Sequence, residues 1–179
     1  MTADAWPTWA TAPIEVVAHD PGWAELAATL ATDLDRRCAP WLDGEVEHVG
    51  STAIPGLPAK PIVDLMAPVR HLAETPAADS PLSVAGWELV PPALDERPWR
   101  RFYVQPEGDR RVAHLHLVER GHARWREVVT FRDALLVDAA LAAEYAAIKR
   151  EAAVRFGEDR EAYTEAKSSF IQRVVGTTA

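Results

Sequence analysis

Cysteine is almost absent from this chain, because Cys38 is the only one among 179 residues. One thiol cannot form an intrachain disulfide, and it cannot supply a cysteine cluster for zinc. Long apolar runs are also missing, and none approaches the length that crosses a bilayer. The N-terminus has no basic region followed by an apolar core, so the sequence predicts no signal peptide and a cytoplasmic protein.

Positive charge is scarce, since 19 Lys and Arg residues face 27 Asp and Glu residues and the formal net charge is −8. Nucleic acids and anionic membranes need a basic surface, and this balance argues against both as partners. A local basic patch stays open, and a solvated hairpin surface is the alternative. The arginines in question are Arg97, Arg100, Arg101, Arg110 and Arg111.

Three well-known catalytic motifs are missing as well. Residues 49–52 read Val-Gly-Ser-Thr, which does not supply the Gly-x-Ser-x-Gly turn of a serine hydrolase. The chain contains no Walker-type loop and no dinucleotide-binding fingerprint. Chemistry of those classes is therefore not indicated.

Proline divides the chain into regions of different secondary structure. Asp20 and Pro21 predict the start of a helix whose apolar residues recur at helical spacing. Ten of the fourteen prolines lie between Pro55 and Pro106, which favours strands and loops there. The predicted strands are residues 14–17, 45–49, 61–67, 86–90, 100–105 and 112–118, with the last two joined across residues 107–109.

The last third of the chain predicts three helices. An apolar stripe that includes Trp125 indicates the first. Asp138 is the expected N-cap of the second, and Gly157 is its expected end. Asp159 opens the third, whose apolar residues continue to Val174.

These elements predict an α+β protein with a mixed sheet, a first helix packed on it and a C-terminal helical group. Residues 1–12 are expected to be a loose tail. Residues 13–176 are expected to form a single domain, since a chain of this length is the size of one ordinary domain with a full core.

The stretch at residues 48–66 carries the strongest chemical signal. A Gly50-Ser51 turn follows an apolar run, and glycine lets the backbone approach a phosphate to which the hydroxyl and nearby N–H groups donate. Lys60 would add positive charge, and Asp64 could ligate Mg²⁺. The alternative is a tight turn with a capping serine and an aspartate paired with a basic side chain.

Met66 weakens a standard two-metal site. Residues two apart on a strand face the same side, so a second carboxylate would have to stand two residues after Asp64. Met66 occupies that position, and a thioether is a poor Mg²⁺ ligand.

Two further features could take part in chemistry. His114 and His116 lie on one face of a predicted strand, where they could bind a metal, exchange protons or contact phosphate. A polar strand face with hydrogen-bonded histidines is the alternative. Arg132 lies among apolar residues of a predicted helix, where a charge needs a partner, so it is either a phosphate clamp or part of a structural ion pair.

Taken together, these segments resemble the GrpB family. The resemblance runs from about residue 13 to residue 175, and a similar domain is fused to the C-terminus of some bacterial dephospho-CoA kinases. The matching segments are residues 47–65, 114–118 and 131–135, the Tyr145 to Lys149 helix, and the Asp20-Pro21 opening with Trp23.

The resemblance implies a nucleotidyltransferase-like core and a ligand that is a nucleotide or another phosphorylated small molecule. It implies that Asp64, His114 and His116 are catalytic residues. Asp64 and His116 would be ligands of Mg²⁺ or Mn²⁺ if the predicted strand 112–118 lies beside the predicted strand 61–67. The residues that it implies for substrate or phosphate binding are His48, Gly50, Ser51, Thr52, Lys60 and Arg132.

Three hypotheses about function remain open at this point. The first is a nucleotidyltransferase-like enzyme that acts in the Gly50-Ser51/Asp64 cleft. The second is a non-catalytic protein that keeps the fold and serves as a binding or chaperone-like partner. The third is a transition-metal site built on His114 and His116.

Overall fold

Five strands form one mixed sheet that organises the rest of the molecule. They are β1 (Glu47–Val49), β2 (Val63–Val69), β3 (Glu88–Leu89), β4 (Arg100–Glu107) and β5 (Arg110–Glu119). The computed structural model describes residues 15–156 and 159–178. The order across the sheet is β1-β2-β5-β4-β3, in which β2 and β5 run parallel and the other neighbours are antiparallel.

The two faces of β5 follow its sequence. Leu115 and Leu117 are buried in the larger apolar core, together with Leu65 of β2. His114 and His116 alternate with these leucines and lie on the opposite face, as the two-residue period of a strand requires. The sheet therefore separates an apolar core from a polar face.

Helix α1 (Gly22–Cys38) covers the apolar face of the sheet. The side chain of Asp20 accepts a hydrogen bond from the backbone N–H of Gly22 at 2.8 Å, which confirms the predicted start of this helix. Trp23, Leu34 and Cys38 are buried in the core, so the cysteine is a packing residue at the helix end.

The proline-rich middle of the chain contains only short helical segments within the described residues, as predicted. Its helices are the 3-10 turns Ser51–Ala53 and Leu72–Ala78, α2 (Asp79–Val84) and α3 (Pro92–Asp95). Within residues 15–156 and 159–178, no helix is both long and apolar enough to cross a membrane.

In the described residues after 122, the C-terminal group contains four helices, namely α4 (Ala123–Val137), α5 (Ala139–Arg155), α6 (Arg160–Glu165) and α7 (Ser168–Thr178). Tyr145 and Phe170 stack in its apolar core, with ring centroids 5.3 Å apart. Ile54 and Leu57, which follow the Gly50-Ser51 turn, belong to the same core. The helical group is thus packed directly against the segment that carries the candidate phosphate-binding turn.

Two predicted elements differ from the structure. The third C-terminal helix is broken into α6 and α7, because the N–H of Lys167 bonds to the carbonyl of Thr164 at 3.2 Å rather than one residue further back. The strand predicted at residues 14–17 is reduced to one bridge between Val17 and Ala59. Ala59 lies one residue after Pro58 and two before Pro61, and prolines have no N–H to extend a ladder. The predicted tail at residues 1–12 and the helix end at Gly157 lie outside the described residues.

Asp138 joins α4 to α5 and provides a stability test. Its Oδ1 accepts hydrogen bonds from the N–H groups of Ala140 and Leu141 at 2.9 and 3.0 Å, as the predicted N-cap should. We expect Asp138→Ala to lower the free energy of unfolding by about 0.5–2 kcal/mol in chemical denaturation. Asp138→Asn keeps an accepting oxygen and should stay close to wild type, and an equal loss in both variants would contradict the capping role.

Candidate functional site

The parallel pairing of β2 with β5 brings the chemical groups together on the polar face of the sheet. Asp64 is the register partner of His114, and Met66 is the partner of His116. Ligand atoms of Asp64, His114 and His116 all lie within 4.8 Å of one another. The strand that carries the histidines therefore lies beside the strand that carries Asp64, as the predicted site requires.

Asp64 and His114 form a hydrogen-bonded pair. The Nδ1–H of His114 donates to Asp64 Oδ1 at 2.9 Å. Burial alone would raise the pKa of Asp64, but the hydrogen bonds from His114 and His116 hold it well below its usual range. Because the carboxylate is ionised, Nδ1 carries a proton, and in the neutral imidazole the lone pair is therefore on Nε2. That Nε2 is buried and has no hydrogen-bond partner among the described residues.

Arg100 fixes the second histidine. Its Nη1 donates to His116 Nδ1 at 2.7 Å, and its Nε donates to Asp95 Oδ2 at 2.8 Å. Burial and the Arg100 charge lower the pKa of His116 to about 4, although Asp64 acts in the opposite direction. His116 is therefore neutral near pH 7, with its proton on Nε2, which lies 3.8 Å from Asp64 Oδ1.

This donor set does not fit a divalent ion without rearrangement. Mg²⁺ prefers oxygen ligands, whereas the donor set found in the described part of the chain has one carboxylate, that of Asp64, and two imidazoles. Arg100 donates into His116 Nδ1, which keeps the proton on Nε2 and removes that lone pair from coordination. Asp64 Oδ1 already accepts the proton of His114. The expectation of Mg²⁺ or Mn²⁺ on Asp64 and His116 stays a prediction.

The Gly50-Ser51 turn lies directly against Asp64. Gly50 has φ of 71°, a left-handed conformation that favours glycine, and a Cβ at this position would lie 2.6 Å from Asp64 Oδ2. Ser51 begins a 3-10 turn and is hydrogen-bonded to Tyr145. Glycine is thus required here both for the backbone angle and for the close approach to the carboxylate.

His48 and Thr52, on either side of Gly50 and Ser51, support the turn. His48 Nε2 lies 2.9 Å from the hydroxyl of Thr52, which is almost completely buried. Burial lowers the pKa of His48, so the ring is held neutral. His48 and Thr52 therefore hold the turn from within, and Thr52 also lines the small cavity described below.

Arg132 of α4 makes an ion pair, one of the two alternatives for this residue. Its Nη1 donates to Glu47 Oε2 at 2.6 Å and to the carbonyl of His48 at 3.0 Å, while its Nε donates to Asp133 Oδ1 at 2.8 Å. These bonds fasten α4 to β1. Arg132 also borders the main cleft, so a role with phosphate stays a prediction.

Met66 belongs to an apolar cluster. It is 2% exposed and packs with Val49 and Val118. Trp99 and Trp125 cover this cluster from the cleft side and from α4. The position where a second carboxylate would stand is therefore a packing position.

Of the five arginines singled out in the sequence, all but Arg101 border the main cleft. Arg100 faces the histidines, whereas Arg101 lies on the opposite face of β4, where it bonds to Asp79 and to the hydroxyl of Tyr103. Adjacent strand residues point to opposite faces, which explains the division. Arg97, Arg110 and Arg111 border the main cleft, which has a volume of about 1700 Å³.

A smaller cavity of about 190 Å³ adjoins this cleft beside the Gly50-Ser51 turn. It brings Lys60 together with two basic residues that the sequence argument missed, Lys149 of α5 and Lys167. One signal was available in the sequence, since these are the three lysines of a chain whose other sixteen basic residues are arginines. The remaining described lining residues are Ser51, Thr52, Ile62, Asp64, His114 and Tyr163.

Comparison with known proteins identifies the family of this chain. Residues 13–176 match the sequence profile of the GrpB family, described as GrpB protein. A UPF0157 protein of Pseudomonas aeruginosa is 37% identical over 171 residues, which cover 91% of this chain and 66% of that protein. A dephospho-CoA kinase of Mycolicibacterium paratuberculosis is 28% identical over 185 residues, which cover 91% of this chain and 45% of the kinase. The chain thus spans less than two thirds of the length of these relatives.

Solved structures show the same fold. The GrpB protein of Enterococcus faecalis superposes with a TM-score of 0.80 at 24% identity, covering 92% of this chain and 96% of that one. The Cid1 poly(U) polymerase, in a structure with Mg and 3′-dATP bound, superposes with a TM-score of 0.55 at 16% identity. The superposition covers 84% of this chain and 49% of the polymerase chain. The α+β mixed sheet with its helical group is therefore nucleotidyltransferase-like, and the chain belongs to the GrpB family.

Proposed function

We propose that this chain is a nucleotidyltransferase-like enzyme that binds a nucleotide or another phosphorylated small molecule at Gly50, Ser51 and Asp64. The observation that carries the proposal is the contact of the Gly50 backbone with the Asp64 carboxylate, where a Cβ would lie 2.6 Å from Oδ2. A phosphate held by the turn would lie next to the hydrogen-bonded Asp64–His114 pair. Phosphate binding and proton transfer would then take place at one site.

In this proposal His114 accepts the proton. Asp64 accepts a hydrogen bond from its Nδ1–H, its Nε2 is buried without a partner among the described residues, and His114 lines both the main cleft and the small cavity. In a transfer reaction, the proton of the attacking hydroxyl passes to His114 Nε2 as that oxygen bonds to phosphorus. The bond from phosphorus to the departing phosphate breaks and its electron pair leaves with that group. Asp64 stabilises the imidazolium that forms.

The fold supports a nucleotide as the ligand. The Cid1 poly(U) polymerase binds 3′-dATP on the same fold, with Mg present. The main cleft here is large enough for a nucleotide, and it is bordered by aromatic residues such as Trp99 and Phe102, on which a base can stack. Mg²⁺ or Mn²⁺ would supply charge neutralisation for the phosphates if either ion binds.

One observation favours a second candidate, a non-catalytic binding partner. Met66 is buried in an apolar cluster where a two-metal enzyme needs a carboxylate. Similar sequence also occurs within dephospho-CoA kinases that are more than twice as long as the matching region. A protein of this kind would keep the pocket and associate with an enzyme. A pull-down that retrieves no stoichiometric partner would count against it.

Nucleotide binding is the direct test of the main proposal. We expect isothermal titration with ATP, GTP, CTP and UTP to show saturable heat for at least one of them. The titrations are run in EDTA, in Mg²⁺ and in Mn²⁺, so that any need for an ion becomes visible. A folded sample that gives no heat with any nucleotide in any of the three buffers contradicts the proposal.

Gly50→Ala tests the contact that carries the proposal. The added methyl group would collide with Asp64, so we expect nucleotide affinity to fall at least tenfold. Gly56→Ala is a matched control, because Gly56 has a similar φ of 78° and nothing within 4 Å of its added Cβ. Both positions have a positive φ, so an alanine strains the backbone in each variant. Equal affinities for the two variants in titration would show that the Gly50–Asp64 contact has no role in binding.

A further inference from the structure

The three lysines of this chain converge on one cavity although they come from distant parts of the sequence. Lys60 precedes β2, Lys149 belongs to α5, and Lys167 lies in the break between α6 and α7. Elsewhere the chain uses arginine as its basic residue. Lysine differs from arginine in offering a compact charge with three donors, which suits a phosphate oxygen that can be approached from several sides.

The protein holds each ammonium in place. Lys149 is 2% exposed and donates to the carbonyl of Pro58 at 2.6 Å, which leaves N–H donors for a group in the cavity that it lines. The ammonium groups of Lys60 and Lys167 lie 4.3 and 3.9 Å from the centroid of the Tyr163 ring. Cation–π contacts with one ring therefore bring two positive charges together.

The cavity carries an excess of positive charge. Among its described lining residues, Asp64 is the single carboxylate opposite three lysines. Burial, with the charges of Lys167 and Lys60, lowers the pKa of Lys149 to about 7, while Asp64 acts in the opposite direction. Burial and the Lys60 charge lower the pKa of Lys167 to about 8. Such clustering is unfavourable without a compensating anion, so an anionic ligand would stabilise it.

The size of the cavity indicates what part of a ligand it can hold. A volume of 190 Å³ corresponds to roughly six water molecules at about 30 Å³ each, which suits a phosphate or pyrophosphate group and is too small for a nucleoside. Ser51, Asp64 and His114 border both this cavity and the main cleft. A ligand could therefore place its phosphates among the lysines and the remainder in the cleft.

We propose that Lys60, Lys149 and Lys167 bind the phosphate groups of the substrate directly, without a bridging divalent cation. The inference rests on the proposed function for the identity of the whole ligand, but it concerns the phosphate end alone. Neutralisation by ammonium groups agrees with the donor set at Asp64, which does not fit a divalent ion while Arg100 holds His116.

Amine labelling tests the proposal in the wild-type protein. The reactive amines are these three lysines and the N-terminal amine, so each acetyl group added by acetic anhydride can be located by mass spectrometry. We expect inorganic pyrophosphate to slow acetylation of Lys60 and Lys167 at pH 8 at least fivefold, with EDTA present. The N-terminal amine is the internal reference, and sodium chloride at equal ionic strength is the control. Unchanged labelling of all three lysines would overturn the proposal.

Titration of variants identifies the source of the phosphate and the residues that bind it. In EDTA we expect pyrophosphate, ATP or both to bind, and Lys149→Met and Lys167→Met each to weaken that binding at least tenfold. Arg150→Met is the matched control, because it removes the same charge from an exposed neighbour on the helix of Lys149, and it should stay within twofold. Thermal unfolding verifies that every variant is folded, and Lys167 provides the test if Lys149→Met is not.

The outcomes separate this inference from the proposed function. If ATP binds and both lysine variants bind it as tightly as wild type, the lysine site is wrong and the proposed function stands. Binding that requires Mg²⁺ or Mn²⁺ also overturns direct lysine contact. If neither pyrophosphate nor any nucleotide binds under any condition, both proposals fail.

Discussion

The parallel pairing of β2 with β5 is the constraint on which the candidate site depends. It sets Asp64 opposite His114 and places His116 on the same face, with the leucines between them directed into the core. A shift of one residue in either strand would send the carboxylate or the imidazoles to the apolar side. The leucine positions Leu65 and Leu115 are fully buried, so the core itself enforces the register that assembles the site.

A line of alternating charges and dipoles crosses this face of the sheet. Asp95 holds Arg100, Arg100 donates to His116, and the carboxylate of Asp64 faces both histidines. Arg100 fixes the proton of His116 on Nε2, which makes that ring poorly suited to a metal. Asp64 in turn holds a proton on Nδ1 of His114, whose Nε2 is buried. One row of hydrogen-bonded and charged side chains thus orients His114 and removes His116 as a metal ligand.

Local patterns in the sequence predict some parts of this structure and not others. The two-residue spacing of His114 and His116 was sufficient to place both on one face, and Asp138 was recognisable as an N-cap. The helix break at Lys167 and the burial of Lys149 depend on packing between α5, α6 and the Gly50-Ser51 turn, which no local period encodes. The signal in the sequence for the lysine cavity is the small number of lysines in the chain, and not their spacing.

The position of Met66 connects the apolar packing with the electrostatics. A second carboxylate at that point would add negative charge to a face that already holds Asp64, and only bound cations could balance it against an incoming phosphate. The apolar cluster of Met66, Val49 and Val118 adds no such negative charge, and three lysines line the nearby cavity. In the two proposals made above, with one carboxylate beside two histidines and three lysines nearby, this site would attract phosphate through the chain's own residues. The frame of a nucleotidyltransferase can thus be kept while the means of neutralising the phosphate changes.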